Sequence, residues 1–370
     1  MRFSDRAIEG ATIAHGGVGS WRLAAAVLCV ACSESKPYRI ALVLDAAGIE
    51  GAQLAADQIN KHGGINGHPL ELLTERGAEK SARMSLATAE RLSADEAVLA
   101  VVGHTNSAAS LSASQVYNAR GVTQISPTAS SPLFSEAGPY SFRMVPSDIH
   151  QGAFLVAQAL RSSAHPRVAV VFVNSDYGRP LEGVVTGSLH RAGVSPVFDA
   201  PFDMIDSTEG RALVASLVSA DPQVVIWIGR SADLLPIAAR LSAVLPHLAI
   251  IASDAFSRQL PVDSTRRVFA GVKYVRFVDV ERSDSVLQRV RTSYARAHGV
   301  EISDQTLLAY DAVSLLGAAL RAVGPRRDAI RNWLQDVGGP GRPFTGVTGP
   351  VVFSHSRERA PAYVLVPVIP

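Results

Sequence analysis

Cysteine is nearly absent from this chain. Its two copies, Cys29 and Cys32, sit at the N-terminal end, so the remainder has no thiol for a disulfide, a metal thiolate or a nucleophile. Charge of one sign is also lacking. The 35 basic and 33 acidic residues give a formal net charge of +2, and no basic run carries interleaved aromatics, which removes the electrostatic case for nucleic acid. The short signatures of catalysis are missing as well: no G-x-S-x-G elbow, no H-E-x-x-H, no G-x-G-x-x-G opening a helix after the first strand. The ten histidines nowhere pair at metal-ligand spacing. His104, at a strand end, reads as a structural hydrogen-bonding group rather than a base. No short-period repeat and no low-complexity segment occurs. The expectation is a protein that is not an enzyme and uses no cofactor or metal.

What is present is length and apolar content. At 370 residues and 47% apolar, the chain is long enough for two domains, each with a sizeable core. Arg22 precedes an apolar run from Leu23 to Ala31. That run is too short to span a bilayer but suits the hydrophobic region of an export signal, so residues 1–32 are expected to be a leader. Val30-Ala31-Cys32 resembles the end of a bacterial lipobox, with Cys32 as the lipidated residue. Leu28 lies four residues before Cys32 rather than the usual three, and a plain cleaved signal or a buried N-terminal helix are the alternatives. The glycine-rich stretch from His15 to Ser20 lacks the lysine of a phosphate loop and follows no strand.

From Tyr38 onward, short apolar runs alternate with amphipathic segments. Strands are expected at 40–44, 70–73, 97–102 and 122–125, and after a break near Met144 to Pro146 at 168–173, 194–198, 224–228 and 248–252. Pro196 marks the run at 194–198 as an edge strand. Helices are expected at 49–62, 82–92, 107–119, 151–161, 180–192, 209–220 and 232–244, then at 285–297, 306–322 and 328–336; short strands lie at 272–275, 349–353 and 363–368. Strands alternating with helices imply parallel sheets covered on both faces. Two such sets imply an α/β protein of two doubly wound lobes, with ligands beyond the carboxyl ends of the strands.

Two hydroxyl-rich clusters follow strands of the first set: Thr105, Ser107 and Ser110, then Ser126 to Ser131. A helix start offers unpaired N–H groups and a positive dipole end to an anion; the plainer reading is helix capping. In the second set Tyr177, Arg230 and Asp254 each follow a strand. Hydroxyls facing one acid suit a zwitterion, while the plainer readings are a packing tyrosine, a salt bridge from Arg230 to Asp254 or Asp233, and an N-cap aspartate.

The segments GAQLAADQINKHGGINGHPL, VVGHTNSAAS, ISPTASSPLF, FRMVPSD, NSDYG, YDAVSLLGAAL and FTGVTGPVVF, in this order and spacing, resemble the type I periplasmic binding proteins. The likeness is to the branched-chain amino-acid-binding (Leu/Ile/Val) family that feeds ABC importers. The resemblance implies two lobes joined by a three-strand hinge, with crossings near Met144–Ser147, Tyr274–Phe277 and Phe344–Gly349. The N-terminal lobe would be 38–145 plus 277–345, and the C-terminal lobe 146–276 plus 346–370. It implies hinge closure on a small ligand without chemistry, and an ABC permease as partner, with membrane contact only through a lipid anchor. By position, Ser107 matches the carboxylate-binding serine, Thr128 the residue whose backbone carbonyl accepts from the ammonium, with Ala129 beside it, and Ser130 the hydroxyl and N–H that meet the carboxylate. Tyr177 matches the closing tyrosine, Asp254 stands where a Glu holds the ammonium, and Arg230 stands near a position often held by Tyr. The β1–α1 loop, Asp45 to Gly48, is shorter than in the family. The implied location is the periplasm or the outer face of the membrane. The implied function is a solute-binding component of an importer, and the alternative is an extracytoplasmic sensor of an amide, acid or aromatic compound.

Overall fold

Ile40, Ala41, Leu42 and Val43 are fully buried, as a strand covered on both faces requires. They form β1 (Tyr38–Val43), the start of a regular α/β alternation in the computed structural model, which describes residues 35–76, 81–161, 166–203, 207–257, 260 and 264–369. Cys29, Cys32 and the expected leader lie outside those residues. After β1 come α1 (Ala46–Lys61), β2 (Leu70–Thr74), α2 (Ala82–Ala94), β3 (Val98–Gly103), α3 (Ser107–Ala119), β4 (Thr123–Ser126) and β5 (Ser141–Arg143). The strands make a five-stranded sheet in the order β2-β1-β3-β4-β5, parallel throughout.

The second set begins with α4 (Asp148–Ala159) and β6 (Val168–Val173). It continues through α5 (Gly178–Arg191), β7 (Phe198–Phe202), α6 (Ser207–Ala220), β8 (Val224–Ile228), α7 (Ser231–Val244), β9 (Ala249–Ala252) and β10 (Lys273–Arg276). Its strand order is β13-β10-β9-β8-β6-β7, where β13 (Val364–Pro367) runs antiparallel to β10 and the others are parallel. The two doubly wound sheets expected from the alternation are therefore present. In both, the first strand of the set lies between the second and the third. Strand order thus reverses between β1 and β3 and again between β6 and β8, and a crevice opens at such a reversal beyond the carboxyl ends.

The remaining helices, α8 (Ser285–His298), α9 (Asp304–Val323) and α10 (Arg327–Gln335), complete the first core. Leu307, Leu308, Val313, Leu315 and Leu316 of α9 are fully buried there. This explains a helix apolar enough to cross a membrane by length and composition. Val278 and Val280 join the same core, whereas Tyr274 packs in the second.

Two readings of the strands need correction. The edge strand falls at 198–202 rather than 194–198, because the ladder to β6 runs from Ala169 opposite Phe198 to Val173 opposite Phe202; pairing partners, not the local apolar run, set its position. It does lie at the sheet edge, and its Pro201 is tolerated for that reason. β5 was not foreseen. Val347, Val351 and Phe353, in and beyond the expected third crossing at 344–349, pack in the first core. The buried carboxylate of Asp311 holds this segment. It accepts the N–H groups of Val347 at 2.8 Å and Thr348 at 2.9 Å, and the Thr348 hydroxyl. These bonds pin the short hairpin of β11 (Thr345–Gly346) and β12 (Gly349–Pro350). A Cβ on Gly346 would stand 2.2 Å from Asp311 Oδ2, so only glycine fits.

Two ion pairs brace the crossings. Arg276, at the end of β10, reaches Asp304 at the start of α9 with Nε 2.8 Å from Oδ1, while Asp304 Oδ2 accepts the Phe277 N–H at 2.8 Å. Arg143, 1% exposed, pairs with Glu358 and donates to the Ser131 carbonyl at 2.7 Å. The first and third crossings are thereby joined beside β4.

Candidate functional site

A cleft of about 580 Å³ is lined from both sheets. Ser107 and Thr128 line it from the first, Tyr177, Arg230 and Asp254 from the second. Each follows a strand end near a point of strand-order reversal, which is why residues distant in sequence converge.

The first wall is the start of α3. Gly103 ends β3 with φ +141°, and a Cβ there would lie 2.3 Å from the Val43 carbonyl oxygen. Glycine lets the chain turn tightly against β1. Asn106 caps the helix by accepting the Ala109 N–H at 2.9 Å. Ser107 therefore occupies the first helical position, where backbone N–H groups have no intrahelical acceptor. Ser107 Oγ accepts the Ser131 N–H at 3.3 Å, a bond that leaves its own proton to donate. Thr128 Oγ1 donates to the Thr105 carbonyl at 2.7 Å, and Ser110 and Ser126 both donate to the His104 carbonyl, at 3.0 and 2.6 Å. These bonds lock the ends of β3 and β4 together. His104 itself is fully buried and its imidazole is pushed down to about 3 by desolvation, so it is neutral and structural, as its isolation suggested.

Two expected contacts do not reach the cleft by their side chains. Ala129 turns inward, fully buried, and its N–H is taken by Ser126 Oγ at 3.0 Å. The Ser130 hydroxyl donates to Asp148 Oδ2 at 3.1 Å, away from the opening. The turn after β4 is wound too tightly to present all of its hydroxyls to one side.

The second wall centres on Asp254, in a short helical turn after β9 and 5% exposed. Its Oδ1 accepts the Tyr177 hydroxyl at 2.7 Å and Gln151 Nε2 at 2.9 Å. Burial, then the charges of Asp254 and Asp148, raise the Tyr177 phenol well above its ordinary value, so it stays a donor. Arg230 lines the cleft, but its guanidinium is held by Asp233 at 2.9 Å. Of the open alternatives for Arg230, the pairing with Asp233 is the one formed.

Sequence reasoning missed several lining residues: Asp45 and Gln305, whose side chains bond each other, Asp176, and Phe277 at the second crossing. Asp45 and Asp176 do carry the signal of an acid placed just after a strand. Gln305 and Phe277 carry none, since only the crossing brings them to the cleft. Among the described residues no group of His, Cys, Asp and Glu is arranged to hold a metal ion. With hydroxyls and helix N–H groups on one wall and a fixed carboxylate on the other, the cleft can receive an anion and a cation at once.

Comparison with known proteins agrees with this architecture. A family model described as periplasmic binding protein matches residues 41–366. The Leu/Ile/Val-binding protein homolog 1 of Brucella abortus is 25% identical over 319 residues, covering 85% of this chain and 84% of that protein. An amino acid binding protein of Pseudomonas aeruginosa is 27% identical over 296 residues, covering 77% and 76%. Among solved structures, the branched-chain amino acid transporter substrate binding protein of Streptococcus pneumoniae, in complex with isoleucine, has a TM-score of 0.78 at 21% identity and covers 89% of this chain and 95% of its own. An ABC-transporter solute binding protein of R. palustris in complex with benzoate has a TM-score of 0.77 at 16% identity, covering 90% and 93%. At such identities these two structures speak to the fold.

Proposed function

The chain belongs to the periplasmic binding protein family, and from that premise we propose that it is the extracytoplasmic solute-binding component of an ABC importer, closing its two lobes on an amino acid or related small carboxylate. The observation that carries this reading is the opposition of Ser107, at the start of α3, to Asp254 and Tyr177 in one cleft. The ligand carboxylate meets the Ser107 hydroxyl and the first N–H groups of α3; the ammonium meets Asp254. Among the described residues of the cleft no nucleophile and base are paired as a catalytic unit, in keeping with binding without chemistry. The relatives named for binding Leu/Ile/Val or amino acids support the same choice. Delivery is to an ABC permease, with Cys32 as the site of a lipid anchor. The lobes are 38–145 with the segment from 277 to Phe353, and 146–276 with the chain after Phe353.

A second reading is favoured by one observation: a structural neighbour holds benzoate. An aromatic acid would use the Ser107 wall and offer no ammonium to Asp254. Thermal-shift titration with amino acids, dicarboxylates, amides and aromatic acids separates the two. A ligand at a hundred times its dissociation constant adds about 2.7 kcal/mol of stability. Amino acids that stabilise the wild type and not Asp254→Ala support the first reading. Stabilisation by amine-free acids alone replaces it with the second.

A further inference from the structure

Asp254 does not hold its own position. Gln151, fully buried in the first turns of α4, grips it twice: the side-chain Nε2 donates to Asp254 Oδ1 at 2.9 Å, and Oε1 accepts the Asp254 backbone N–H at 2.9 Å. The same Nε2 donates to Asp148 Oδ1 at 2.7 Å. An amide nitrogen carries two hydrogens, and here both point at carboxylate oxygens. The amide cannot be turned over, because its oxygen would then face two carboxylates and its NH2 group would face an N–H donor. Asp148, also fully buried, is anchored in turn: its Oδ2 accepts the Ser130 hydroxyl at 3.1 Å, and its N–H donates to the Ser130 carbonyl at 2.9 Å. Ser130 follows β4 of the first sheet, whereas Gln151 and Asp254 belong to the second.

We propose that Gln151 is a positioning and specificity-determining residue, which aims the Asp254 carboxylate at a ligand amine and, through Asp148 and Ser130, ties that aim to the first lobe. This rests on the reading that Asp254 receives the ammonium. The physical need is plain: a carboxylate 5% exposed serves a cation only if its protein-side lone pairs are satisfied and its direction is fixed. Gln151 supplies a neutral donor for that task and adds no charge to compete with the ligand. It also separates Asp148 from Asp254. Burial and the Asp254 charge raise the Asp148 carboxyl well above its ordinary value.

The test uses the full chain, Gln151→Met, which keeps side-chain length and removes the hydrogen bonds, and Gln151→Glu, which keeps an acceptor for the Asp254 N–H and removes the donor. The probes are the twenty standard L-amino acids, their amine-free counterparts such as 4-methylpentanoate for leucine, and benzoate, titrated by calorimetry. For the strongest amino acid, both variants are expected to lose about 10- to 100-fold in affinity. Affinity for its amine-free counterpart is expected to stay within about threefold, whereas a merely structural defect would lower both alike. If Asp254→Asn weakens the amino acid but the two Gln151 variants do not, or if they weaken both probes equally, the inference fails and the parent reading stands. If no amino acid binds, or if Asp254→Asn leaves the strongest one unaffected, the parent reading fails and takes the inference with it.

Discussion

Tyr177 donates its hydroxyl to Asp254 across 2.7 Å, and the two residues follow different strands, β6 and β9. One bond thus ties two separated ends of the second sheet at the wall of the cleft. Tyr177→Phe removes a donor to a charged acceptor while keeping the ring. Calorimetry with an amine-bearing ligand is expected to show a loss of about 1.5–3 kcal/mol. An unchanged affinity would mean that the Tyr177 bond does not fix Asp254.

Ser107 carries the opposite wall. Ser107→Ala removes the hydroxyl and leaves the N–H groups of α3 in place. The ligand should bind more weakly by about 1.5–3 kcal/mol if that hydroxyl meets its carboxylate. Equal affinities for variant and wild type would reject the role.

Arg143→Met strips the guanidinium from Glu358, whose side chain is 11% exposed, and leaves it the Ser135 hydroxyl at 3.0 Å and His150 at 3.6 Å. Removing one member of a buried pair typically costs about 3–5 kcal/mol. The midpoint of urea unfolding should fall accordingly, and adding Glu358→Gln should recover part of the loss. A double variant no more stable than the single one would show that the guanidinium acts instead through the Ser131 carbonyl and the Ser135 hydroxyl, to both of which it also donates.

Asp199, on β7, has its carboxyl raised to about 6 by burial and by Glu182. The folded chain therefore holds this proton more tightly than the unfolded chain, whose aspartate titrates near its ordinary value of about 3.9. The resulting stabilisation is fully present below that value and is lost as pH rises through about 6. Asp199→Asn should melt higher than wild type at pH 7.5, with the difference shrinking toward pH 4. A constant difference across that range would assign the effect to packing.

The fold was legible where one residue's neighbours did not matter. Val168 to Val173 and Val224 to Ile228 are apolar throughout, because strands covered on both faces have no polar side, and they lie where the sequence put them. β5 is Ser-Phe-Arg, and nothing local announces a strand containing an arginine. That residue becomes buriable only once Glu358 arrives from far along the chain. The site divides in the same way. Ser107, Thr128, Tyr177, Arg230 and Asp254 reach the cleft because position after a strand is a local property. Gln151 was invisible because its meaning lies in a partner 103 residues away. Ser130 and Ala129 were placed by a family pattern, and only the winding of the turn shows that their side chains face elsewhere.

The packing of Phe353 in the first core bears on the order in which the chain is made. The first core requires α9, α10 and Phe353, and β13, the edge strand of the second sheet, follows them all. That core cannot be completed from a contiguous early stretch, whereas the cluster on the other face of the first sheet, from Ala41 to Val122, needs no late segment. Contacts of such long sequence separation form slowly.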